Sequence, residues 1–548
     1  MPKIQSVNPV SNLTSALLAL LAGALLTLCQ PPWNLFFLAP VALLPLLILA
    51  LRSGAPARWG WLAGTVHFTS LLGWVYTVMT KYGPLSPVIA VGLTLLLGGV
   101  LGLYVALFTG LLGGCARRGG AATALLAAPF LWTAIEVARG ELLTGLPWCP
   151  LGTALWNHPA LARPAAVGGV WLLSFFLAAL PAWLWCARSA RHRLAWAWPA
   201  LLVMVWLGIT LFERPILPSG MVPHLRVRIL QPAIAQTQKW DPAFAAKVLQ
   251  RLESLATAPP DDPGRPPELI LYPESSLPDV EPELLNGMLL RIARKTRARQ
   301  LLGTEYLMAD GKIYNAAVLL GPAPPLSEGE LPPPLAPITQ LPPGGPPELI
   351  DLPVTRFTLP EEDRYGKRHL APFGEYIPWK NWLHFARKLT HGIGEFTPGE
   401  SGRPLRIASP GAGPARVGVL ICYESIFPDL AANEAAQPGT AALVNISNDA
   451  WFDGTGAKSQ LLAMSAMRAV ESGLPVVRVA NTGISGMLYP GHHELLPEDL
   501  PLARDFSLPL TARTATVATR LAPLATACWL ILGALALIAA ARHPRKRY

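Results

Sequence analysis

Charge is scarce in this chain. Asp, Glu, Lys and Arg make up 14% of the 548 residues, against 52% hydrophobic ones. An ordinary soluble domain carries roughly a quarter charged residues, so the chain as a whole is not a water-soluble enzyme. Cysteine is scarce as well: the six present show no paired spacing, which excludes a disulfide framework. Cys29, Cys115, Cys149, Cys186 and Cys528 lie in or beside apolar runs, where a small apolar residue needs no special reason. Only Cys422 has a chemical context. The histidines, His492-His493 included, lack metal-ligand spacing such as His-Glu-x-x-His, so no metal is expected. Thr482-Gly483-Ile484-Ser485-Gly486 does not make a Gly-x-Ser-x-Gly elbow, which counts against a serine lipase. Gly411-Ala412-Gly413 does not open a helix after a strand, which counts against nucleotide binding.

What is present is apolar sequence in blocks. Runs at 13–29, 35–51, 59–79, 87–114, 121–138, 165–186, 194–212 and 521–541 approach the roughly 20 residues needed to cross a hydrocarbon core. Pro40 and Pro45 interrupt the second, which membrane helices tolerate. No small-residue cleavage pattern follows the first run, so a retained helix is expected rather than a removed signal peptide. Glu136, inside the fifth run, calls for a role or a partner, with Arg139 nearby.

In an eight-span arrangement Lys3, Arg52, Arg58, Arg117, Arg118, Arg188, Arg191, Arg193, Arg542, Arg545, Lys546 and Arg547 fall on one side. Only Lys81, Arg139 and Arg163 fall in short loops on the other. The positive-inside rule then puts both termini in the cytoplasm. Without those twelve, 32 basic residues stand against 34 acidic ones, so the net charge of +10 reports topology and gives no reason to expect nucleic acid.

The expected architecture is a polytopic α-helical membrane bundle of about eight helices plus an extramembrane α/β domain. The expected divisions are 1–212 for seven helices, 213–520 for the polar block, and 521–548 for a last helix with a basic tail. Within the block, 225–230, 269–272, 301–303, 316–320, 417–421, 441–446 and 476–479 read as short buried strands. Segments 244–256, 282–297 and 458–471 carry apolar residues at helical spacing. Strands alternating with helices argue a layered domain. The stretch 321–347, dense in proline and glycine, reads as a surface insertion.

Two strands end in reactive side chains. Val417-Gly418-Val419-Leu420-Ile421 runs into Cys422-Tyr423-Glu424, and Leu269-Ile270-Leu271-Tyr272-Pro273 into Glu274. A deprotonated thiol is a good nucleophile and its thioester a good acyl donor. A carboxylate after a buried strand asks for a partner. Glu274 is a candidate base for the thiol proton, and a lysine in Tyr365-Gly366-Lys367-Arg368-His369 is a candidate oxyanion donor. Spacing alone leaves Lys367 and Arg368 open.

Tyr272-Pro273-Glu274-Ser275, Tyr365-Gly366-Lys367 with Ala371-Pro372-Phe373-Gly374-Glu375-Tyr376, and Cys422-Tyr423-Glu424 resemble the Glu-Lys-Cys signature of the nitrilase superfamily. Asn445-Ile446-Ser447-Asn448-Asp449-Ala450-Trp451-Phe452 and Met467-Arg468-Ala469-Val470-Glu471 extend the resemblance. With the spans and Gly145-Leu146-Pro147-Trp148, nearly the whole chain resembles the apolipoprotein N-acyltransferases, the membrane-embedded branch of that superfamily.

The resemblance implies a nitrilase-like αββα sandwich for 213–520. It implies Glu274 as base, Lys367 as oxyanion stabiliser and Cys422 as the acylated nucleophile, supported by Glu375, Tyr423, Glu424 and Trp240. Arg368 is then expected to be solvated or to face lipid. It implies a phospholipid acyl donor, a diacylated apolipoprotein acceptor, no cofactor, and a monomer in the cytoplasmic membrane with its catalytic domain on the outer face. The rival readings are a membrane-anchored amidase using water, and a non-catalytic lipoprotein-binding scaffold.

Overall fold

A computed structural model describes residues 10–189, 196–212, 223–239, 241–278, 280–307, 311–321, 354–355, 363–378, 396–400, 402–409, 413–510 and 515–542. The chain divides into two compact units, one of Met1–Pro215, Gly454–Glu471 and Thr516–Tyr548, the other of Ile216–Asp453 and Ser472–Ala515. The 321–347 insertion lies outside the described residues, its first residue excepted.

The first unit is helical. Pro87–Gly119, Ala121–Glu141, Ala165–Ser189 and Val517–Ala541 are long and apolar enough to cross a bilayer, and Asn12–Leu28, Phe36–Arg52 and Ala197–Leu211 are apolar but shorter. The second expected span is interrupted. Pro40 sits in a 3-10 turn, Phe36–Val41, and an α-helix restarts at Leu44–Arg52 with Pro45 in its first turn, where a missing N–H costs nothing. The third is helical over Pro56–Leu71 and again over Trp74–Lys81.

Small residues let two of these helices touch. A Cβ built on Gly64 would lie 2.7 Å from the Gly102 Cα, and one on Gly102 only 2.8 Å from the Thr65 backbone nitrogen. In lipid, where burial of apolar surface gives no drive, such close approach is the main source of helix association.

Buried polar side chains do the rest. Glu136 Oε1 accepts from the Leu151 N–H at 2.8 Å, while Arg139 donates to the carbonyls of Leu146 and, at 3.1 Å, of Trp148. Both side chains thus hold the backbone of the 146–151 segment. The amide of Gln460 donates to the Pro31 and Leu71 carbonyls at 3.2 and 3.0 Å and accepts from the Trp148 indole at 2.7 Å. Helix Ala165–Ser189 breaks at Gly168 and Gly169, and the Val170 N–H released there donates to Glu471 Oε1 at 2.7 Å.

The second unit holds thirteen strands among the described residues: β1 His224–Gln231, β2 Leu269–Leu271, β3 Arg299–Leu307, β4 Ile313–Leu320, β5 Val354–Thr355, β6 Arg364–Gly366, β7 Leu405–Ser409, β8 Gly413–Ile421, β9 Thr440–Ser447, β10 Val476–Ala480, β11 Gly486–Leu488, β12 His493–Leu495 and β13 Leu502–Pro509. One sheet runs β13-β1-β2-β3-β4-β6 with β5 beside β3; the other runs β12-β11-β10-β9-β8-β7. The central pairs β1–β2, β2–β3, β8–β9 and β9–β10 are parallel, and the outer pairs antiparallel apart from β3–β5.

Leu225, Val227 and Ile229 of β1 and Val417, Val419 and Ile421 of β8 share one buried core, so alternate residues face inward between the sheets. On the other face of the first sheet, Leu230, Ile270 and Leu302 pack with Val248, Leu249 and Leu252 of helix Pro242–Ala256 and Met288 and Ile292 of helix Pro282–Thr296. The strands and helices expected from periodicity are all present, within two residues at most ends.

The glycine contact makes a prediction with an internal control. Gly92 lies on the same helix as Gly102 but has open space where its Cβ would be. Gly92→Ala should be neutral or stabilising by up to about 1 kcal/mol, the helix-propensity gain. Gly102→Ala should instead cost about 1–3 kcal/mol by overpacking. Thermal midpoints of the two variants in detergent check this; equal midpoints would reject the close approach.

Candidate active site

Three strand ends meet in the second unit. β2 leads into Glu274, β6 into Lys367 and β8 into Cys422. Cys422 has φ 50°, in the left-handed region, and opens a 3-10 turn, Cys422–Ile426. A non-glycine residue held there costs on the order of 1–3 kcal/mol. It turns the chain sharply off the strand and carries the sulfur to the sheet edge.

Lys367 is buried between two carboxylates. Its Nζ lies 3.3 Å from Glu274 Oε1 and 2.8 Å from Glu375 Oε1. The Asn315 amide donates to the same two oxygens at 2.8 and 2.7 Å. Glu274 Oε2 accepts from the Asn448 N–H at 2.9 Å, and Glu375 Oε2 from the Ala371 N–H at 2.7 Å. The Cys422 thiol is hydrogen-bonded to Glu274.

This arrangement sets the protonation states. Burial alone would lower the Lys367 ammonium, but Glu375 and then Glu274 outweigh it and hold it well above the usual lysine value. Burial opposes ionisation of Glu274, yet Lys367 and the Asn315 amide win and keep its carboxyl below the usual value. Burial first, and the Glu274 charge second, push the Cys422 thiol up, with Lys367 opposing them. The site therefore rests as thiol, carboxylate and ammonium. The thiol is not ionised in advance, and the neighbouring Glu274 carboxylate is already charged.

Glu424 is fully buried and ties the lysine segment to the cysteine turn. It accepts from the N–H groups of Ile421, Arg368 and His369 at 2.8, 2.7 and 3.1 Å and from the Tyr365 hydroxyl at 3.0 Å. Tyr423 is half-buried, with its ring edge-on to Phe427 at 5.2 Å and 5.9 Å from the His369 ring. Trp240 lies outside the described residues. Gln231, in the segment leading to it, donates to the Pro497 and Leu500 carbonyls, away from the cluster.

Arg368 differs from the expectation that it is solvated or faces lipid. Its side chain is 16% exposed, pairs with the buried Glu434 at 2.8 Å and reaches the Tyr365 hydroxyl at 3.3 Å. Glu434 lies 66 residues further along the chain, a distance across which sequence spacing carries no signal.

Four site residues escaped the sequence reading. Asn315 sits in the apolar strand β4, where a lone buried amide was the available sign. Lys239 is buried with Nζ 3.5 Å from the Glu274 carbonyl; desolvation lowers it to about 8 against the pull of Glu305, Glu274 and Cys422. Ser447 and Asn448 lie in the polar run that ends β9, which was noticed as a motif without roles for its members.

With this geometry in view, the comparisons are specific. Residues 22–183 match the model of the apolipoprotein N-acyltransferase N-terminal domain, and residues 226–496 that of the carbon-nitrogen hydrolases. An apolipoprotein N-acyltransferase of Geobacter metallireducens is 32% identical over 490 residues, 86% of this chain and 84% of that protein. One of Pseudomonas putida is 30% identical over 536 residues, covering 94% and 95%. Among solved structures, an amidase from Nesterenkonia sp. superposes with a TM-score of 0.32 at 18% identity, over 53% of this chain and 94% of that one. The chain therefore belongs to the apolipoprotein N-acyltransferase family.

Proposed function

We propose that this protein moves a fatty acyl chain from a membrane phospholipid, through a thioester on Cys422, to the N-terminal amine of a diacylglyceryl-modified cysteine on a lipoprotein. The observation that carries the reading is the cluster of buried Glu274 and Lys367 with half-buried Cys422 in a chain of this family. As the sulfur attacks the ester carbonyl, Glu274 takes the thiol proton. Lys367 donates to the oxyanion of the tetrahedral intermediate, a contribution worth about 3 kcal/mol by analogy with other oxyanion donors. Collapse expels the lysophospholipid alkoxide, which receives the proton from Glu274 and leaves the thioester. The lipoprotein amine then attacks; Glu274 takes its proton and returns it to the departing sulfur, giving an amide and the free thiol. Glu375 holds Lys367 in place and charged, and no cofactor enters.

A second, coarser contrast is with a hydrolase that sends water to the same thioester. The apolar helices favour transfer, because a diacylated amine reaches the site from the membrane and water does not need to. The same reading places the protein in the cytoplasmic membrane with eight spans, both termini inside and the block between residues 213 and 520 outside. The asymmetry of Lys and Arg supports that orientation.

Three measurements test these statements. With labelled phospholipid, wild-type protein should form an adduct released by neutral hydroxylamine; Cys422→Ala should form none, and Glu274→Gln should acylate about 10²–10⁴-fold more slowly. Adduct formation should be flat with pH from about 5 to 7, below the region near 8 where the neighbouring Lys239 loses its proton. The Glu274 carboxyl is charged down to below its ordinary 4.5, and the thiol stays protonated to above its ordinary 9.0. A bell centred near neutral pH would contradict these protonation states.

In a bilayer without acceptor the thioester should persist, then discharge when a diacylated lipopeptide with a free N-terminus is added. An N-acetylated lipopeptide should be inert. Release of free fatty acid at a rate the lipopeptide does not change favours the hydrolase.

Reporter fusions at Arg118 should read as cytoplasmic, and fusions within 321–347 as external. A cytoplasmic signal from the latter overturns the topology.

A further inference from the structure

The Cys422 thiol has a second polar neighbour besides Glu274: Ile421 and Ile446 face each other across the parallel pair β8–β9, so Cys422 and Ser447 follow side by side at the ends of adjacent strands, and the Ser447 hydroxyl acts on the thiol. Ser447 belongs to a hydrogen-bonded circuit. Its Oγ donates to Asp449 Oδ1 at 2.6 Å, and Asp449 Oδ2 pairs with Arg478 Nη2 at 2.7 Å. Arg478 also donates through Nη1 to Asn445 Oδ1. The Asn445 amide donates to the Leu420 carbonyl at 3.1 Å and the Cys422 carbonyl at 3.5 Å. The circuit thus starts at the backbone of Cys422 and ends at Ser447, on the strand end beside it. All four side chains are fully buried.

A hydroxyl has one proton to give. In the resting site the sulfur is a neutral thiol whose own proton goes to Glu274, and Ser447 gives its proton to the charged Asp449, the stronger acceptor. When negative charge collects on sulfur, the ranking of acceptors changes. Charge collects there twice in the reaction: as the thiol proton leaves before attack, and as the thioester expels its sulfur.

We propose that Ser447 is a catalytic hydroxyl that turns its hydrogen bond from Asp449 to the Cys422 sulfur as charge develops there, with Asp449, held by Arg478, setting the threshold for the turn. No covalent bond changes at Ser447, and the proton stays on its oxygen. The interaction is stronger in the charged state than in the resting one, which is the condition for it to accelerate the chemistry. This inference rests on Cys422 being the acylated nucleophile.

The test uses the full-length protein in bilayer discs, with iodoacetamide alkylation of Cys422 read by peptide mass spectrometry between pH 6 and 10. Glu274, Lys367, Lys239 and Asp449 are the charged groups facing the sulfur, and Ser447→Ala keeps all of them. Ser447→Ala should move the alkylation profile up by about one pH unit or more and slow thioester discharge by lipopeptide about tenfold to a hundredfold, the loss of one hydrogen bond to a charged atom. The lipopeptide KM should not change, and Ser447→Thr should restore most of the rate.

Asp449→Asn weakens the competing acceptor, so alkylation should shift to lower pH, opposite to Ser447→Ala. Because that variant removes the carboxylate that pairs with the buried Arg478 and can fail to fold, the decision rests on Ser447→Ala. An unchanged profile together with wild-type discharge overturns the proposal. Cys422→Ala separates the two readings. An acyl adduct that survives in it sinks the nucleophile assignment itself, whereas its loss beside an indifferent Ser447→Ala sinks only the role of Ser447.

Discussion

The buried ammonium of Lys367, held between Glu274 and Glu375, is the interaction on which the rest of the site depends. Two carboxylates cannot both stay ionised in a dry place without it, and it cannot stay charged without them. The Asn315 amide and the Asn448 and Ala371 N–H groups add donors to the two carboxylates, and the buried Lys239 lies beside Glu274. The backbone of Lys367 is pinned as well: its N–H donates to the Asn315 carbonyl, and its carbonyl accepts from Gly399, each at 2.8 Å. Glu424 then fixes the next two residues against the cysteine turn. A long flexible side chain is thereby presented as a rigid one, which is what an oxyanion donor needs.

The same electrostatics make this site unlike thiol enzymes that store a thiolate. A stored thiolate reacts with any electrophile and climbs the oxidation ladder. Here the resting sulfur keeps its proton, because burial and the Glu274 charge both disfavour the thiolate.

The strand ends that carry Glu274 and Cys422 were legible in the sequence. Apolar runs such as 269–271 and 417–421 stop abruptly at a carboxylate or a thiol, and burial makes such a residue conspicuous. Residues that act across long separations were not legible. Arg368 looked solvated because its partner, Glu434, lies 66 residues away on helix Pro428–Ala435, and Asn315 looked like a minor break in an apolar strand. The short strands β7, β11 and β12 carry too few residues for a period to show. The helical pattern of 458–471 was plain, but periodicity reports that a face is buried and not which unit buries it; that segment clusters with the membrane helices. Length misled in the bundle too, since hydropathy does not register the turn at Pro40 or the break after Leu71.

The amide of Gln460 carries a consequence for biosynthesis. Its partners at Pro31, Leu71 and Trp148 precede it by 429, 389 and 312 residues. At a synthesis rate of about 5–20 residues per second, Leu71 waits roughly 20–80 s for its partner. Through that interval a backbone carbonyl and an indole N–H of the early helices stand open in or near the bilayer, where an unsatisfied polar group is costly. The helical unit is also drawn from three separate stretches of chain, so it cannot close until its last helix has left the ribosome. Its early helices therefore need lodging in the insertion machinery, and the maturation of this protein is governed by how long that lodging lasts.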